Sequence, residues 1–319
     1  MKSIVGVDLG GTNVRVILGD CHGRIIRRLE EKADKSSGAE GISRQILRMI
    51  RSLKAIGRIA SVGIGSAGPL DLKEGAIVNS PHYTFKRIPL LEPLKGTLRL
   101  PIYLANDCVA AVVGEKEFTY GKKYRNIVYV TISSGIGAGV IVDDRVLFGK
   151  DGNAHEVGHI TIDQAGKLTC GCGKKGHWEA YCSGDAAPNF IKLQFESKTH
   201  GEIERSALHR ISGGNLDTLS SRELFVAARR GDSLAQEIVE EMGRLNAIGF
   251  ANVTNIYDPE VITVGGAIAL ANRRMILEPV KQLIDQYSIN RVPKIRMTTL
   301  GRDAVLYGTL RLFKYLDSK

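Results

Sequence analysis

The sequence predicts an α/β protein with two similar βββαβα halves that face each other across a cleft. A β-branched strand, a glycine-rich turn and a second strand follow one another at Ser3–Leu18, and the same succession recurs at Ile127–Val142. Helical and strand patterns then alternate, as they do in layered α/β domains. The 319 residues suffice for two domains with separate cores, and 43% apolar with 24% charged residues is ordinary for a globular chain.

The first glycine-rich turn contains candidate ligands for a nucleotide and its metal ion. Gly10 and Gly11 allow successive backbone N–H groups to point at one anion, and Thr12 and Asn13 add side-chain donors. Asp8 ends the preceding strand, where a carboxylate can hold a water bound to Mg²⁺. No Gly-Lys-Ser/Thr follows, and a strand rather than a helix comes next, so the turn is not a P-loop. A plain hairpin is the alternative.

Two later turns repeat this pattern. Ser134 and Gly135 lie between two predicted strands, which suggests that a phosphate-gripping module is duplicated. Gly265 and Gly266 follow the strand Val261–Val264, where small residues suit close packing of a nucleoside base.

Further candidate ligands follow strands elsewhere in the first half of the chain. Gly68 lies in a run of small residues after one strand, Asn79 follows a short apolar run, and Asn106 and Asp107 end another strand. Ligands bind at the carboxyl ends of strands in α/β sheets, so Asp107 is a candidate general base that accepts the proton of an attacking hydroxyl. Turn formation at Asn79 and helix capping at Asp107 are equally good explanations.

Two kinds of residue share the segment His155–Glu179. Four soft metal ligands stand at loop spacing: His159, Cys170, Cys172 and His177. Thiolates and imidazoles in this arrangement indicate a tetrahedral zinc site. Glu156 and Glu179 indicate a polar substrate cup held in place by that metal. A glycine-rich surface loop with incidental cysteines is the alternative.

Composition argues against nucleic-acid and membrane partners. The net charge is +10 and the pI about 9.4, but the basic residues are spread along the chain and aromatic residues amount to 6%, so we expect a basic surface that attracts anionic substrates. The apolar run Ile127–Val142 is broken by glycine and hydroxyl residues and predicts buried strands rather than a membrane span. Five cysteines and no visible signal peptide indicate a reducing, cytoplasmic location.

The order of these features resembles the ROK family (repressor, open reading frame, kinase) of sugar kinases and regulators over nearly the whole chain. The resemblance rests on Asp8-Leu9-Gly10-Gly11-Thr12, Gly65-Ser66-Ala67-Gly68-Pro69, Asn106-Asp107, Ser133–Gly139, Glu156-x-Gly158-His159, Cys170-Gly-Cys172-Gly-x-x-Gly176 with Glu179, and Gly265-Gly266. It implies the two-domain, actin-like ATPase (ribonuclease H-like) fold of sugar kinases, with ATP in an interdomain cleft. The expected domains are a small α/β domain, 1–105, on which a C-terminal helix, 303–319, packs, and a large α/β domain, 106–302, with a zinc loop, 155–179.

The resemblance also implies roles for individual residues. Asp107 matches the family's catalytic base. The expected sugar ligands are Asn106, Glu156, His159 and Glu179, with Gly68 and Asn79 nearby. The expected nucleotide contacts are Gly10, Gly11, Thr12, Ser134, Gly135 and Gly265, to which the turns themselves add Asp8, Asn13 and Gly266.

Two residues depart from the family pattern. His177 stands where the zinc motif usually has a third cysteine; His159, Cys170, Cys172 and His177 remain a good zinc set, with Cys182 as the alternative ligand. His155 stands where glucose-specific members tend to have glycine. An imidazole there could reshape the region around C1 or C2 of the sugar, which keeps N-acetylmannosamine and N-acetylglucosamine open beside glucose.

The resulting expectation is a homodimeric kinase that uses ATP with Mg²⁺, and a structural Zn²⁺, to phosphorylate the 6-hydroxyl of an aldohexose or N-acetylhexosamine. A sugar-responsive repressor is one alternative, but those proteins carry an N-terminal helix-turn-helix, and the chain starts within a few residues of its first strand. A sugar-binding protein without catalysis is the other, and Asp107 argues against it.

Overall fold

The structure, a computed structural model, describes residues 3–54, 59–80 and 83–316. The strands are β1 Ser3–Leu9, β2 Asn13–Gly19, β3 Ile25–Lys32, β4 Ile59–Ser66, β5 Leu70–Asp71, β6 Ala76–Val78, β7 Arg87–Pro89, β8 Ile102–Asn106, β9 Ile127–Ile132, β10 Ile136–Val142, β11 Arg145–Val146, β12 Val261–Gly265 and β13 Lys294–Met297.

The helices are α1 Gly41–Ser52, α2 Leu91–Leu98, α3 Asp107–Glu115, α4 Glu179–Cys182, α5 Ala187–Phe195, α6 His200–Arg205, α7 Ala207–Ser212, α8 Ser221–Arg229, α9 Ser233–Tyr257, α10 Ala267–Ala271, α11 Arg273–Leu283, α12 Ala304–Thr309 and α13 Phe313–Leu316. Helix α3 continues into a π-helical turn, Lys116–Tyr120, and short 3₁₀ turns occur at Val157–His159, Leu216–Thr218, Ile284–Gln286 and Gly301–Asp303.

Both five-stranded sheets have the same strand order. The first runs β3-β2-β1-β4-β8 and the second β11-β10-β9-β12-β13, so each is third-second-first-fourth-fifth along the chain. In the first sheet β1 pairs antiparallel with β2 and parallel with β4, and β4 pairs parallel with β8. In the second, β10 and β11 are antiparallel and β12 and β13 parallel. The predicted repetition of one topology is therefore confirmed.

Contacts divide the chain into two compact units. Unit 1 comprises Met1–Tyr129, Gly139–His155 and Thr298–Lys319, and unit 2 comprises Val130–Ala138 and Glu156–Met297. The domain bounds expected from the sequence, 1–105 with a closing helix and 106–302, stay a prediction. The compact units differ from them, since all of α3 belongs to unit 1.

In unit 1, α12 approaches its neighbours so closely that glycines are required at the contacts. A Cβ on Gly308 would lie 1.6 Å from the carbonyl oxygen of Ala110 in α3, and one on Gly63 in β4 would lie 2.0 Å from that of Thr309. Gly6 in β1 meets the Thr309 hydroxyl in the same way. Helix α12 is therefore held in a fixed position against β1, β4 and α3.

The first sheet has an apolar core on each face. On one face its strands pack on α1 and α2 in a cluster that includes Val7, Ile46 and Leu94. On the other face Ile4 and Ile17 pack on Leu306 and Leu310 at the end of the chain. Burial on both faces explains why β1 is apolar at nearly every position instead of alternating.

In unit 2, Trp178 anchors the segment that carries the predicted metal ligands. Its ring is fully buried, lies edge-on to Phe250 of α9 at 5.4 Å, and donates its N–H to Asn246 Oδ1 at 2.9 Å. Gly249 gives the indole room, because a Cβ there would lie 2.3 Å from the ring. The residue that follows Trp178 is Glu179, which is thereby held at the start of α4.

Residues 303–319 do not form the single predicted helix: α12 and α13 are separated by turn residues, and 317–319 lie outside the described residues. Within the described parts of the chain, no helix is both long and apolar enough to cross a membrane.

The close packing of α12 predicts a large cost for a single added methyl group. Gly308→Ala should lower the free energy of unfolding by about 2 kcal/mol or more, because the Ala110 carbonyl cannot move without shifting α3. The measurement is denaturant unfolding, with Gly96→Ala in α2 as control: no atom lies within 4 Å of a Cβ there, so alanine should stabilise by about 0.5–1 kcal/mol. Equal stabilities of the two variants would contradict this packing.

Candidate active site

The carboxyl ends of β1, β4 and β8 bring three predicted site segments to one edge of the first sheet. Asp8 pairs in register with Gly65, and Gly65 pairs with Ala105. Asn106 and Asp107 follow directly, and a Cβ on Gly68 would lie 3.6 Å from the amide nitrogen of Asn106. Parallel strands thus collect the candidate base, a candidate sugar ligand and the candidate magnesium ligand in unit 1.

Asn106 and Asp107 both act at the start of α3. Asn106 Oδ1 accepts the N–H of Cys108 at 2.8 Å, and Asp107 Oδ1 accepts the same N–H at 2.8 Å. The N-cap of α3 is therefore Asn106, and Asp107, for which the sequence offered capping as an explanation, is the first residue of the helix. Asp107 remains partly accessible to solvent at the first position of the helix, where the helix dipole favours negative charge.

Asp8 is a buried carboxylate with one cationic partner. It is 7% exposed and accepts hydrogen bonds from Nε of Arg15 at 2.8 Å and from Nη2 of the same residue. Burial, together with the charges of Asp107 and Asp303, raises the pKa of Asp8 to about 6 against the opposing effect of Arg15. Arg15, which no motif indicated, is the one charged residue of β2.

The first glycine-rich turn is a tight hairpin with an exposed tip. Gly10 donates its N–H to the carbonyl of Asn13 at 3.0 Å, and Thr12 is exposed. The Asn13 side chain donates to Glu30 at 3.4 Å, so its predicted donor group has a protein partner. The hydroxyl of Tyr83, which no motif indicated, donates to the carbonyl of Gly10 at 3.2 Å.

Asn79 forms a turn at the end of β6. Its φ is +49°, a conformation that asparagine tolerates better than most residues, and its N–H donates to the carbonyl of Lys86 at 2.7 Å. The turn explanation is therefore correct, and the exposed side chain remains available to a ligand.

In unit 2 the second glycine-rich turn lies against Glu179. Oε2 of Glu179 accepts the N–H of Ile136 at 2.8 Å, and a Cβ on Gly135 would lie 2.6 Å from the same oxygen. Ser134 is exposed beside them. Gly266 has a φ of +89° and leaves no room for a Cβ, which would lie 2.4 Å from the carbonyl of Ile132. The structure thus brings two of the predicted nucleotide turns together within this unit.

The four predicted metal ligands form one cluster. Cys170 Sγ lies 3.7 Å from Nδ1 of His159, Cys172 Sγ lies 3.3 Å from Nδ1 of His177, and the ligand atoms of all four lie within 4.8 Å of one another. Atoms held by a tetrahedral zinc ion at about 2.0–2.3 Å are about 3.3–3.8 Å apart, so the donor set fits zinc. Burial raises the pKa of the Cys170 thiol to about 12, so without a cation it stays protonated.

A carboxylate and a phenol fix the loop that carries the cysteines. Asp163 accepts the N–H groups of Ala165 at 2.9 Å and Lys167 at 3.0 Å, and also the hydroxyl of Tyr181 at 2.5 Å. The Tyr181 oxygen in turn accepts the N–H of Leu168 at 3.0 Å. The two side chains thus hold residues 163–168 of the loop in place.

Glu179 and His159 connect this cluster to the predicted sugar ligands. Oε1 of Glu179 accepts the Cys170 thiol at 3.5 Å, while its other oxygen holds the glycine turn. His159 directs Nδ1 to Cys170 and Nε2 to Oε2 of Glu156, 3.8 Å away. Its two ring nitrogens therefore have different partners.

His155 and Cys182, whose roles the sequence left open, have buried side chains. His155 is 1% exposed, its Nε2 lies 3.0 Å from the carbonyl of Gly152, and burial lowers its pKa, which keeps it neutral. Its predicted influence on sugar choice stays a prediction. Cys182 lies outside the metal cluster, and its thiol donates to the carbonyl of Met242 at 3.6 Å, so the geometry favours His177 as the fourth ligand.

Residues 4–315 match the ROK family. The chain belongs to the ROK family. A glucokinase from Pyrobaculum calidifontis is 38% identical over 312 residues, covering 98% of this chain and 95% of the relative. A glucokinase from Aeropyrum pernix is 35% identical over 296 residues, covering 90% and 89%.

The crystal structure of a ROK family glucokinase from Streptomyces griseus, in complex with glucose and AMPPNP, superimposes with a TM-score of 0.79 at 28% identity, covering 97% of this chain and 98% of the other. The predicted family and the predicted actin-like α/β fold class are therefore confirmed.

The contact between Gly135 and Glu179 can be tested by adding a methyl group at position 135. In Gly135→Ala the carboxylate must move away from the added methyl group, and the N–H of Ile136 loses its acceptor at a cost of about 1 kcal/mol. Hydrogen exchange of the Ile136 amide should become faster. Gly201→Ala, where no atom lies within 4 Å of a Cβ, should leave that amide unchanged; equal exchange rates in both variants would refute the contact.

Proposed function

We propose that this ROK family chain is an ATP-dependent sugar kinase that phosphorylates the 6-hydroxyl of an aldohexose or N-acetylhexosamine. The observation that carries the proposal is the pair of carboxylates Asp8 and Asp107 at one strand edge, beside a glycine turn with an exposed tip. The relatives named glucokinase support the same activity and make glucose the first substrate to test.

Asp107 is the proposed general base. In phosphoryl transfer the protein mainly positions the reactants and stabilises charge, and one carboxylate accepts the proton of the attacking hydroxyl. Asp107 lies at a helix N-terminus, keeps solvent access and directs Oδ1 at the N–H of Cys108, so a rigid helix sets its orientation. Water exclusion around the acceptor would then favour transfer to the sugar.

The proposed sugar ligands come from both units. In unit 1 they are Asn106, Gly68 and Asn79; in unit 2 they are Glu156, His159 and Glu179. Carboxylates, an amide and an imidazole together supply the donors and acceptors that a polyol requires.

The nucleotide is assigned to the glycine turns. Gly10, Gly11 and Thr12 offer backbone and hydroxyl donors for phosphate, and Ser134 and Gly135 offer the corresponding groups in unit 2. Gly265 and Gly266 would border the base. Asp8 fits a water of the nucleotide-bound Mg²⁺, an ion that when bound neutralises phosphate charge.

The cluster of His159, Cys170, Cys172 and His177 is the proposed Zn²⁺ site. Two thiols and two imidazoles at ligand spacing suit zinc better than magnesium or calcium. Zinc, when bound, would tie the loop together. His159 and the neighbouring Glu179 would thereby be held in position for the sugar.

Removal of the base tests the activity. Asp107→Ala should lower turnover by about 10²–10⁴-fold while sugar affinity stays near that of the wild type. The reason is that the lost carboxylate acts mainly on the proton of the hydroxyl and less on sugar binding. ADP release with glucose, mannose, N-acetylglucosamine and N-acetylmannosamine measures turnover and substrate choice, and calorimetry measures sugar binding. Asp151→Asn, an exposed carboxylate paired with Lys150, is the control.

Near-normal turnover in Asp107→Ala would reject the assignment of the base. Sugar binding by a wild-type protein that releases no ADP with any of these sugars would instead favour the alternatives, a sugar-responsive regulator or a sugar-binding protein without catalysis.

Metal content tests the zinc site. The wild type should contain about one zinc per chain by elemental analysis, and Cys170→Ser, Cys172→Ser and His177→Ala should each lose it together with sugar affinity. Cys182→Ala should retain it, because that thiol lies outside the cluster. A metal-free protein with full sugar affinity would reject the site.

A further inference from the structure

A chain of ion pairs in unit 1 connects Asp8 with the start of α12. Arg15 donates from Nε and Nη2 to Oδ2 of Asp8 and from Nη1 to Oδ1 of Asp303 at 3.1 Å. Arg28 holds the same Asp303 with two bonds, of 3.0 and 2.6 Å. None of Arg15, Asp303 and Arg28 belongs to the ligands proposed above.

The backbone holds both ends of this chain rigidly. Asp8 and Arg15 are register partners on neighbouring strands β1 and β2. Asp303 directly precedes α12, the helix that lies against β1, β4 and α3 with no room for a methyl group at Gly6, Gly63 and Gly308. The arginine therefore spans two points whose separation cannot easily change.

The pairs are largely shielded from water. The side chains of Arg15, Asp8 and Asp303 are 15%, 10% and 19% exposed. Partly buried ion pairs are screened less than surface pairs and hold their geometry better. Three carboxylates converge here, because Asp107 of α3 and Asp303 both act on Asp8, and Arg15 is the cation that opposes them.

We propose that Arg15, anchored by Asp303, is a positioning residue that orients Asp8 toward the metal–nucleotide complex. Both of its bonds to Asp8 end on Oδ2, which leaves Oδ1 to accept a hydrogen bond from a water on the cation. The guanidinium also opposes the negative charges of Asp107 and Asp303 that act on Asp8. The inference rests on the proposed kinase function.

Binding and turnover of four variants test this role. Arg15→Met should weaken calorimetric binding of Mg²⁺–AMPPNP and lower kcat, each by about 10- to 100-fold, because the carboxylate is no longer aimed. Sugar affinity without nucleotide should change by less than about twofold. Arg15→Lys should recover only part of the loss, since lysine restores the positive charge but not the fork of N–H donors. Asp303→Asn should weaken nucleotide binding in the same direction.

The control is Arg48→Met, which removes an exposed arginine that also donates two hydrogen bonds to one carboxylate, that of Glu31, in the same unit. It should leave nucleotide affinity, sugar affinity and kcat unchanged. If Arg15→Met does not fold, Asp303→Asn, which preserves side-chain volume, carries the test.

If the wild type is active and the folded Arg15 and Asp303 variants bind Mg²⁺–AMPPNP as tightly as it does, the proposed role of Arg15 is wrong. The kinase function is not affected by that result. Equal loss of sugar and nucleotide affinity also overturns it, since that result indicates a general structural defect. A wild type and Arg48→Met that turn over none of the tested sugars would reject the kinase function, and this inference with it.

Discussion

The candidate active site of unit 1 depends on backbone contacts that only glycine permits. Helix α12 touches α3 at Gly308 and β4 at Gly63, with no space for a Cβ at either position. Helix α3 carries Asp107 at its first residue, and Asp303 directly precedes α12. Because the elements are in direct backbone contact, small shifts are costly, and the carboxylates at their ends keep their spacing.

Unit 2 achieves comparable precision by a different means. Trp178, buried against α9, fixes the start of α4, and Glu179 uses one carboxylate oxygen for the glycine turn and the other for Cys170. A single side chain thus touches both the metal cluster and a proposed nucleotide turn. The proposed zinc ion and the proposed substrate would therefore be coupled through a few bonds rather than through the whole loop.

Electrostatics distinguishes the two carboxylates at the strand edge. Asp8 is buried and paired with Arg15, and burial raises its pKa to about 6, whereas Asp107 keeps solvent access at a helix N-terminus. These environments suit different tasks. A fixed, paired carboxylate is appropriate for holding an ordered water, and an accessible one is appropriate for exchanging a proton with a substrate.

The family, the repeated topology and the cluster of four ligands could all be predicted from the sequence, because glycine patterns and close spacings are local features that the fold preserves. The four ligands are His159, Cys170, Cys172 and His177. Prediction from the sequence was weaker where partners are distant in the chain: Arg15 and Asp303 lie 288 positions apart, and no local pattern predicts their contact. The sequence could not predict that His155 and Cys182 are buried either, since the exposure of a side chain depends on which residues pack against it. These features depend on the fold, because contacts between distant parts of the chain set both the charge partners of a side chain and its access to water.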